Sequence, residues 1–165
     1  MYKLTEEDYQ FSRLCFVAIG FSNNTELDEE QRIEFFLNYV MNNNEKFVEI
    51  KNFSQNLIFL RGMMKMLIGK SDYPDREDGS RLTPSLRGRL GGICKYCGVE
   101  ANSVDHIWPI ALGGPPDYRE DMWNFAASCS YCNRLKGFAP LSCTANENFI
   151  EKFTRYCERQ ATLGD

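Results

Sequence analysis

Two pairs of cysteines and a single histidine are the residues best placed to do chemistry. Cys94-Lys95-Tyr96-Cys97 and Cys129-Ser130-Tyr131-Cys132 are two C-x-x-C turns separated by 31 residues. Two residues between cysteines let both thiolates reach one ion from a tight turn, and two such turns complete a tetrahedral four-thiolate zinc site. Gly98 follows the first turn, and an aromatic precedes the second cysteine in each. A site closed by four cysteines leaves no open coordination position, so this zinc is expected to be structural. A thiol redox pair is the competing reading of one C-x-x-C; two of them without a secretory leader favour zinc.

Every proposal for imidazole chemistry falls on His106, the only histidine in the chain. It sits between the cysteine pairs in Val104-Asp105-His106-Ile107-Trp108-Pro109-Ile110. The apolar residues Val104, Ile107 and Ile110 indicate a strand, on which neighbouring side chains point to opposite faces. One of Asp105 and His106 can therefore aim into a site, while the other needs a turn or bulge to join it. Taken alone, the pair reads sooner as a hydrogen-bonded histidine on a surface or in a core than as a site.

The surrounding order adds weight. Ala111 to Tyr118 is a loop sequence containing Gly113-Gly114-Pro115-Pro116. Asp121 to Ser128, with Asn124 inside it, can supply a second strand that returns to the second knuckle. Asn133-Arg134-Leu135-Lys136-Gly137 follows Cys132 and can open a helix whose N-terminus favours a phosphate. The order is knuckle, strand with Asp-His, loop, strand with Asn, knuckle, Asn, helix: a ββα unit tied at its ends by zinc.

This arrangement resembles the HNH nuclease family, also called ββα-metal or His-Me finger nucleases, over about residues 94–137. The resemblance rests on the two C-x-x-C turns, Asp105-His106, Pro109, Gly113-Gly114, Asn124, Asn133 and Lys136. The last family position is Asn133 where many members carry histidine, which makes this an H-N-N pattern. The resemblance implies an α+β fold: a helical N-terminal region plus a ββα-metal (HNH) nuclease domain with a structural four-cysteine zinc site. It implies His106 as general base, Asn124 as the residue that holds the loop and orients the histidine, and Asp105 and Asn133 as oxygen ligands of one catalytic divalent ion. Cleavage leaving 5′-phosphate and 3′-hydroxyl ends is implied with it.

The residue chemistry agrees with these roles. A neutral imidazole, with an unperturbed pKa of about 6.5, suits proton abstraction from water. Oxygen donors suit Mg²⁺ or Mn²⁺, which would stabilise charge on the leaving oxygen. Arg87, Arg89, Lys95, Arg134 and Lys136 surround the knuckles and are expected to contact a nucleic-acid backbone, where phosphate neutralisation dominates affinity. Trp108 and Trp123 lie in or beside predicted strands and are expected in the core.

The elements that must carry this site begin with a helical region. Thr5 and Asp8 form a capping pair, followed at helical spacing by Tyr9, Ser12, Cys15, Phe16 and Ile19, with Gly20 expected to end the helix. Ile33, Phe36, Leu37, Val40 and Met41 mark a second helix, with Asp28, Glu29 and Glu30 at its start. A third is expected from about Glu45 to Ile68. Its heptad-like seam of Ile50, Phe53, Leu57, Leu60, Met64 and Leu67 is read as packing on the first two helices rather than on a second subunit. Lys70 to Ser80 is a polar linker. Thr83-Pro84 caps a short basic helix to Arg89, ended by Gly91-Gly92. Thr144-x-x-Glu147 reads as the capping box of a last helix carrying Phe149, Phe153 and Tyr156. Cys15, Cys143 and Cys157 are expected to be buried packing thiols. The domain division is 1–70 helical, 71–90 linker and basic helix, and 91–165 nuclease with the C-terminal helix.

Composition narrows the rest. The chain has 165 residues, 43% hydrophobic and 25% charged, which is enough for a folded core. No apolar run approaches the roughly 20 residues a bilayer requires, and no signal-peptide pattern opens the chain. Seven cysteines is an odd number for a disulfide framework, so a reducing cytoplasm is the expected setting. Net charge is −4, but it is graded: −5 over residues 1–60, +3 over 61–100 and −2 over 101–165. The expectation is a metal-dependent endonuclease acting on double-stranded DNA in defence, restriction or a mobile element. Residues 1–70, acidic over 1–60, would serve homodimerisation or a protein partner, with no membrane contact. The alternative is a non-catalytic zinc-ribbon module that binds nucleic acid or protein; it gives no reason for Asp105-His106 or Asn133.

Overall fold

The computed structural model describes residues 3–69, 81–113 and 122–164. The polar linker read over Lys70–Ser80 and the loop from Gly114 to Asp121 lie outside those residues. Seven α-helices and one two-stranded antiparallel sheet are found among the described residues.

Helix α1 spans Glu6–Ser22 and α2 spans Glu29–Asn42. Both begin with a reciprocal capping box, Thr5 with Asp8 and Asp28 with Gln31, which satisfies two of the first-turn N–H groups each time. Gly20 does not end α1, because the tertiary packing of its neighbours outweighs the propensity cost of one glycine. The buried face is also rotated from the one expected. Phe11, Leu14, Cys15 and Ala18 are buried, while Tyr9 and Phe16 are about half exposed. In α2 the buried stripe is Ile33, Phe36 and Val40, with Leu37 at its edge.

The single helix expected from Glu45 to Ile68 is broken. A 3-10 segment covers Asn44–Ile50, α3 covers Lys51–Ser54, and α4 runs from Leu57 to Ile68. Phe47 departs from helical geometry at φ −129°, ψ 27°. Asn56 then restarts the chain by capping α4, its Oδ1 accepting from Phe59 N at 2.9 Å. Five seam residues, Ile50, Phe53, Leu60, Met64 and Leu67, are buried within this same chain, whereas Leu57 is half exposed. The seam therefore serves intrachain packing.

Helix α5 (Pro84–Leu90) follows the Thr83 cap with Pro84 in its first turn, as the sequence predicts. Strands β1 (Ser103–His106) and β2 (Phe125–Ser128) pair antiparallel, with Asp105 opposite Ala126 and His106 opposite Phe125. Leu82, Leu86 and Leu90 cover Val104, Met122 and Phe125 on one face of the sheet. Helix α6 (Ser130–Lys136) lies against β1.

Helix α7 spans Phe149–Thr162 and buries Phe149, Phe153, Cys157 and Ala161 at successive i, i+4 positions. It does not begin with a Thr144 capping box; Asn148 precedes it, and Thr144 is engaged by Asp8 in α1. Helix α7 packs against α4, so one core joins Phe11, Phe53 and Phe59 to Trp108, Trp123 and Phe153. Phe153 stacks on Trp108 with ring centroids 4.9 Å apart, which puts both tryptophans in the core as expected. Cys15, Cys143 and Cys157 are buried in the same way. No helix among the described residues is long and apolar enough to cross a membrane.

Candidate metal centre and catalytic cleft

The first knuckle is built by backbone bonds. Cys94 N donates to Val99 O at 2.8 Å, and Gly98 N returns to Cys94 O at 3.0 Å. That return requires a left-handed residue, and Gly98 has φ 79°. Lys95 N donates to Ala127 O, which ties this turn to the end of β2 immediately before the second knuckle. Cys129 caps α6, its thiol accepting from Cys132 N at 3.4 Å.

The sulfur atoms of Cys94, Cys97, Cys129 and Cys132 all lie within 4.8 Å of one another. Cys97 Sγ and Cys129 Sγ are 3.7 Å apart. A tetrahedron with metal–sulfur bonds of about 2.3 Å has edges of roughly 3.8 Å, so the four thiols can hold a zinc ion. Burial raises the Cys94 thiol, but N–H donors from Cys129, Tyr96 and Cys97 outweigh it and bring it down to about 6. Burial and the neighbouring sulfurs push Cys132 the other way, because crowded thiols resist ionising together without a cation. The start of α6 is thus occupied by the knuckle, with Cys129 as its cap.

Asp105, His106 and Asn133 line one cleft of about 230 Å³, together with Pro109, Gly137 and Phe138. His106 is buried and meets Phe125 edge-on at 4.8 Å, its cross-strand partner in β2. Asn124 precedes β2 and clamps the chain just after the histidine. Its Oδ1 accepts from Trp108 N at 2.7 Å, its Nδ2 donates to Trp108 O at 3.0 Å, and its own carbonyl accepts from Ile107 N at 2.8 Å. Asn133 Nδ2 donates to Ser103 Oγ at 2.6 Å and to Val104 O at 3.2 Å. A carbonyl can only accept, so the amide nitrogen faces β1 and the amide oxygen is turned away from it.

Lys136 is the largest departure from the sequence reading. The sequence predicts a contact for a nucleic-acid backbone, yet Lys136 is 4% exposed. Its ammonium lies 3.0 Å from Asp105 Oδ2 and donates to His106 O at 2.7 Å and Ile107 O at 3.2 Å. Burial pulls the Lys136 ammonium below its ordinary pKa, and the Asp105 carboxylate works against that pull. The Tyr96 hydroxyl, from the first knuckle, also donates to Asp105 Oδ2. The sequence marks Tyr96 only as a knuckle aromatic, and its contact with Asp105 is set by the fold.

The remaining expected cations divide. Arg89 and Lys95 line a second groove of about 480 Å³ with Phe125, Asn146, Glu147 and Asn148. Arg87 is held by Glu100 at 3.2 Å and by the Ala101 carbonyl. Arg134 is exposed on α6.

Asp105 and Asn133 carry oxygen donors of the kind a hard divalent ion takes, and both Asp105 oxygens already accept from Lys136 or Tyr96. Residues 94–138 match the family model described as HNH endonuclease, and that stretch carries both knuckles and the cleft. No curated protein and no solved structure matches the chain.

Proposed function

We propose that this protein is a metal-dependent endonuclease that hydrolyses phosphodiester bonds, with DNA as its substrate. The observation that carries this reading is that Asp105, His106 and Asn133 all line one cleft beside a four-cysteine cluster. A zinc-ribbon binding module would need the cysteines but not this cleft.

His106 is the group that takes the proton from the attacking water. A neutral imidazole does this near pH 7 when a hydrogen-bonded frame holds its orientation. That frame is the pairing of β1 with β2, the Phe125 ring beside the imidazole and the Asn124 clamp on Trp108. Asp105 and Asn133 would hold Mg²⁺ or Mn²⁺. When bound, such an ion supplies positive charge to the phosphate and the leaving oxygen. Zinc at Cys94, Cys97, Cys129 and Cys132 fixes both ends of the ββα unit. Arg89, Lys95 and Arg134 supply charge for backbone contacts to double-stranded DNA, while the Glu100 partner reduces what Arg87 can offer. A cytoplasmic setting is part of this reading, because a reducing compartment keeps thiols available for zinc. Residues 1–70 would serve a protein partner or a second copy, with Tyr9 and Phe16 half exposed on α1.

The test is plasmid cleavage with added Mg²⁺ or Mn²⁺. The wild type should nick or linearise the plasmid, and His106→Ala should abolish cleavage while leaving the fold and zinc content unchanged. Equal cleavage by both would remove His106 from the chemistry, because no other histidine can substitute. Binding without cleavage by the wild type would favour the zinc-ribbon module.

A further inference from the structure

The Lys136 ammonium sits among four oxygens: Asp105 Oδ1 at 3.2 Å and Oδ2 at 3.0 Å, His106 O at 2.7 Å and Ile107 O at 3.2 Å. Oxygens of this kind, carboxylate and carbonyl, are what a hard cation seeks, and here the chain fills the position with its own cation. Among the described residues that line the cleft, Asp105 is the only acid. Its charge is cancelled by Lys136, and Asn133 adds a neutral donor. Among the described lining residues, a divalent ion therefore meets one carboxylate already paired with a buried ammonium, which opposes its approach.

A nucleic-acid substrate changes that balance. A phosphodiester at the cleft brings a negative charge and two non-bridging oxygens, the donors the protein lacks. We infer that the Asp105–Lys136 pair makes this cleft take its divalent ion and its nucleic-acid strand together, with weak binding of the ion alone. The inference rests on the reading of the cleft as a nuclease centre and adds to it an order of assembly. By linkage, DNA must tighten the metal by the same factor by which the metal tightens DNA.

The experiment is Mn²⁺ titration followed by electron paramagnetic resonance on the zinc-loaded full chain, in which zinc is silent. Free wild-type protein should bind Mn²⁺ weakly. A short DNA duplex, added in the His106→Ala background so that the strand stays intact, should tighten binding roughly tenfold or more beyond what the duplex binds alone. Lys136→Gln removes the charge but keeps a donor for the carbonyls, and should tighten Mn²⁺ on the free protein by a similar factor while shrinking the effect of DNA. Lys136→Met is the second uncharged variant should the glutamine fail to fold. Lys136→Arg, which keeps the charge, should bind free Mn²⁺ as weakly as the wild type.

The inference is overturned if the uncharged variants leave free-protein Mn²⁺ affinity unchanged, or if the wild type binds the ion equally well with and without DNA. Plasmid cleavage separates the two ideas. An active wild type with either overturning result leaves the nuclease reading intact. A wild type that neither cleaves nor binds Mn²⁺ under any condition removes both.

Discussion

The carbonyl oxygen of Cys157 in α7 occupies the space that a side chain on Gly62 in α4 would need. A Cβ built on Gly62 lies 1.7 Å from that oxygen and 2.5 Å from its carbon. The two helices thus meet backbone to backbone, which fastens the N-terminal helices to the helix that follows the ββα unit. Backbone atoms cannot retreat as a flexible side chain would. Gly62→Ala should therefore force α4 and α7 apart and lower stability by about 1–3 kcal/mol or more, despite the better helix propensity of alanine. Thermal unfolding checks this, and an unchanged or raised midpoint would contradict the close crossing. Gly20→Ala, with open space around its Cβ, is the control expected to be neutral or stabilising.

Asp8 holds the same two regions together at another point. Its buried carboxylate accepts from Thr5 N at 2.8 Å within α1, and from Ser142 Oγ, Thr144 N and Thr144 Oγ1 at 3.3, 3.0 and 2.8 Å from the segment before α7. Asp8→Ala leaves several buried donors without an acceptor and should cost on the order of 3 kcal/mol. Asp8→Asn retains one acceptor and should cost less. Chemical denaturation of both variants tests the ranking.

Metal removal should separate the seven cysteines into two groups. Burial raises the Cys15, Cys143 and Cys157 thiols, so they should resist alkylation in the native protein. The four knuckle thiols should be protected by zinc and become reactive when a chelator removes it. Mass spectrometry should find modification at Cys94, Cys97, Cys129 and Cys132 only after chelation. Cys97→Ala should likewise lower zinc content and melting temperature, because metal binding and folding are coupled.

Asn124 offers a test of positioning apart from metal binding. Asn124→Ala leaves the Trp108 N–H and carbonyl without their partner, at a cost of about 1–3 kcal/mol. It should also release the chain after His106 and reduce cleavage by as much as about 100-fold, the scale of a small misplacement of a reacting group. Zinc content should not change. Near-normal cleavage by a folded variant would show that the clamp is dispensable for the chemistry.

Much of the candidate site was legible in the chain because its signals are local. C-x-x-C turns, an adjacent Asp105-His106 pair and Asn133 immediately after Cys132 are all set by spacing within a few residues. So were the helix starts at Thr5 and Thr83, where a short side chain reaches the first-turn N–H groups. The break near Asn56 was hidden because the seam residues keep helical spacing across it while the cap acts on only one turn.

What only the tertiary structure decided is which groups meet across distance. Lys136 reads as one more surface cation, yet α6 lays it under β1, where Asp105 and two carbonyls replace the water its ammonium would lose. Tyr96 reaches the same carboxylate from the first knuckle. Thr144 has the spacing of a capping box, but Asp8 provides a buried charge that a cap in solvent cannot match. Local spacing determined the donors and the chemistry they suit. Burial and packing decided which charges face each other, because a charge taken out of water must find its partner wherever the fold brings one.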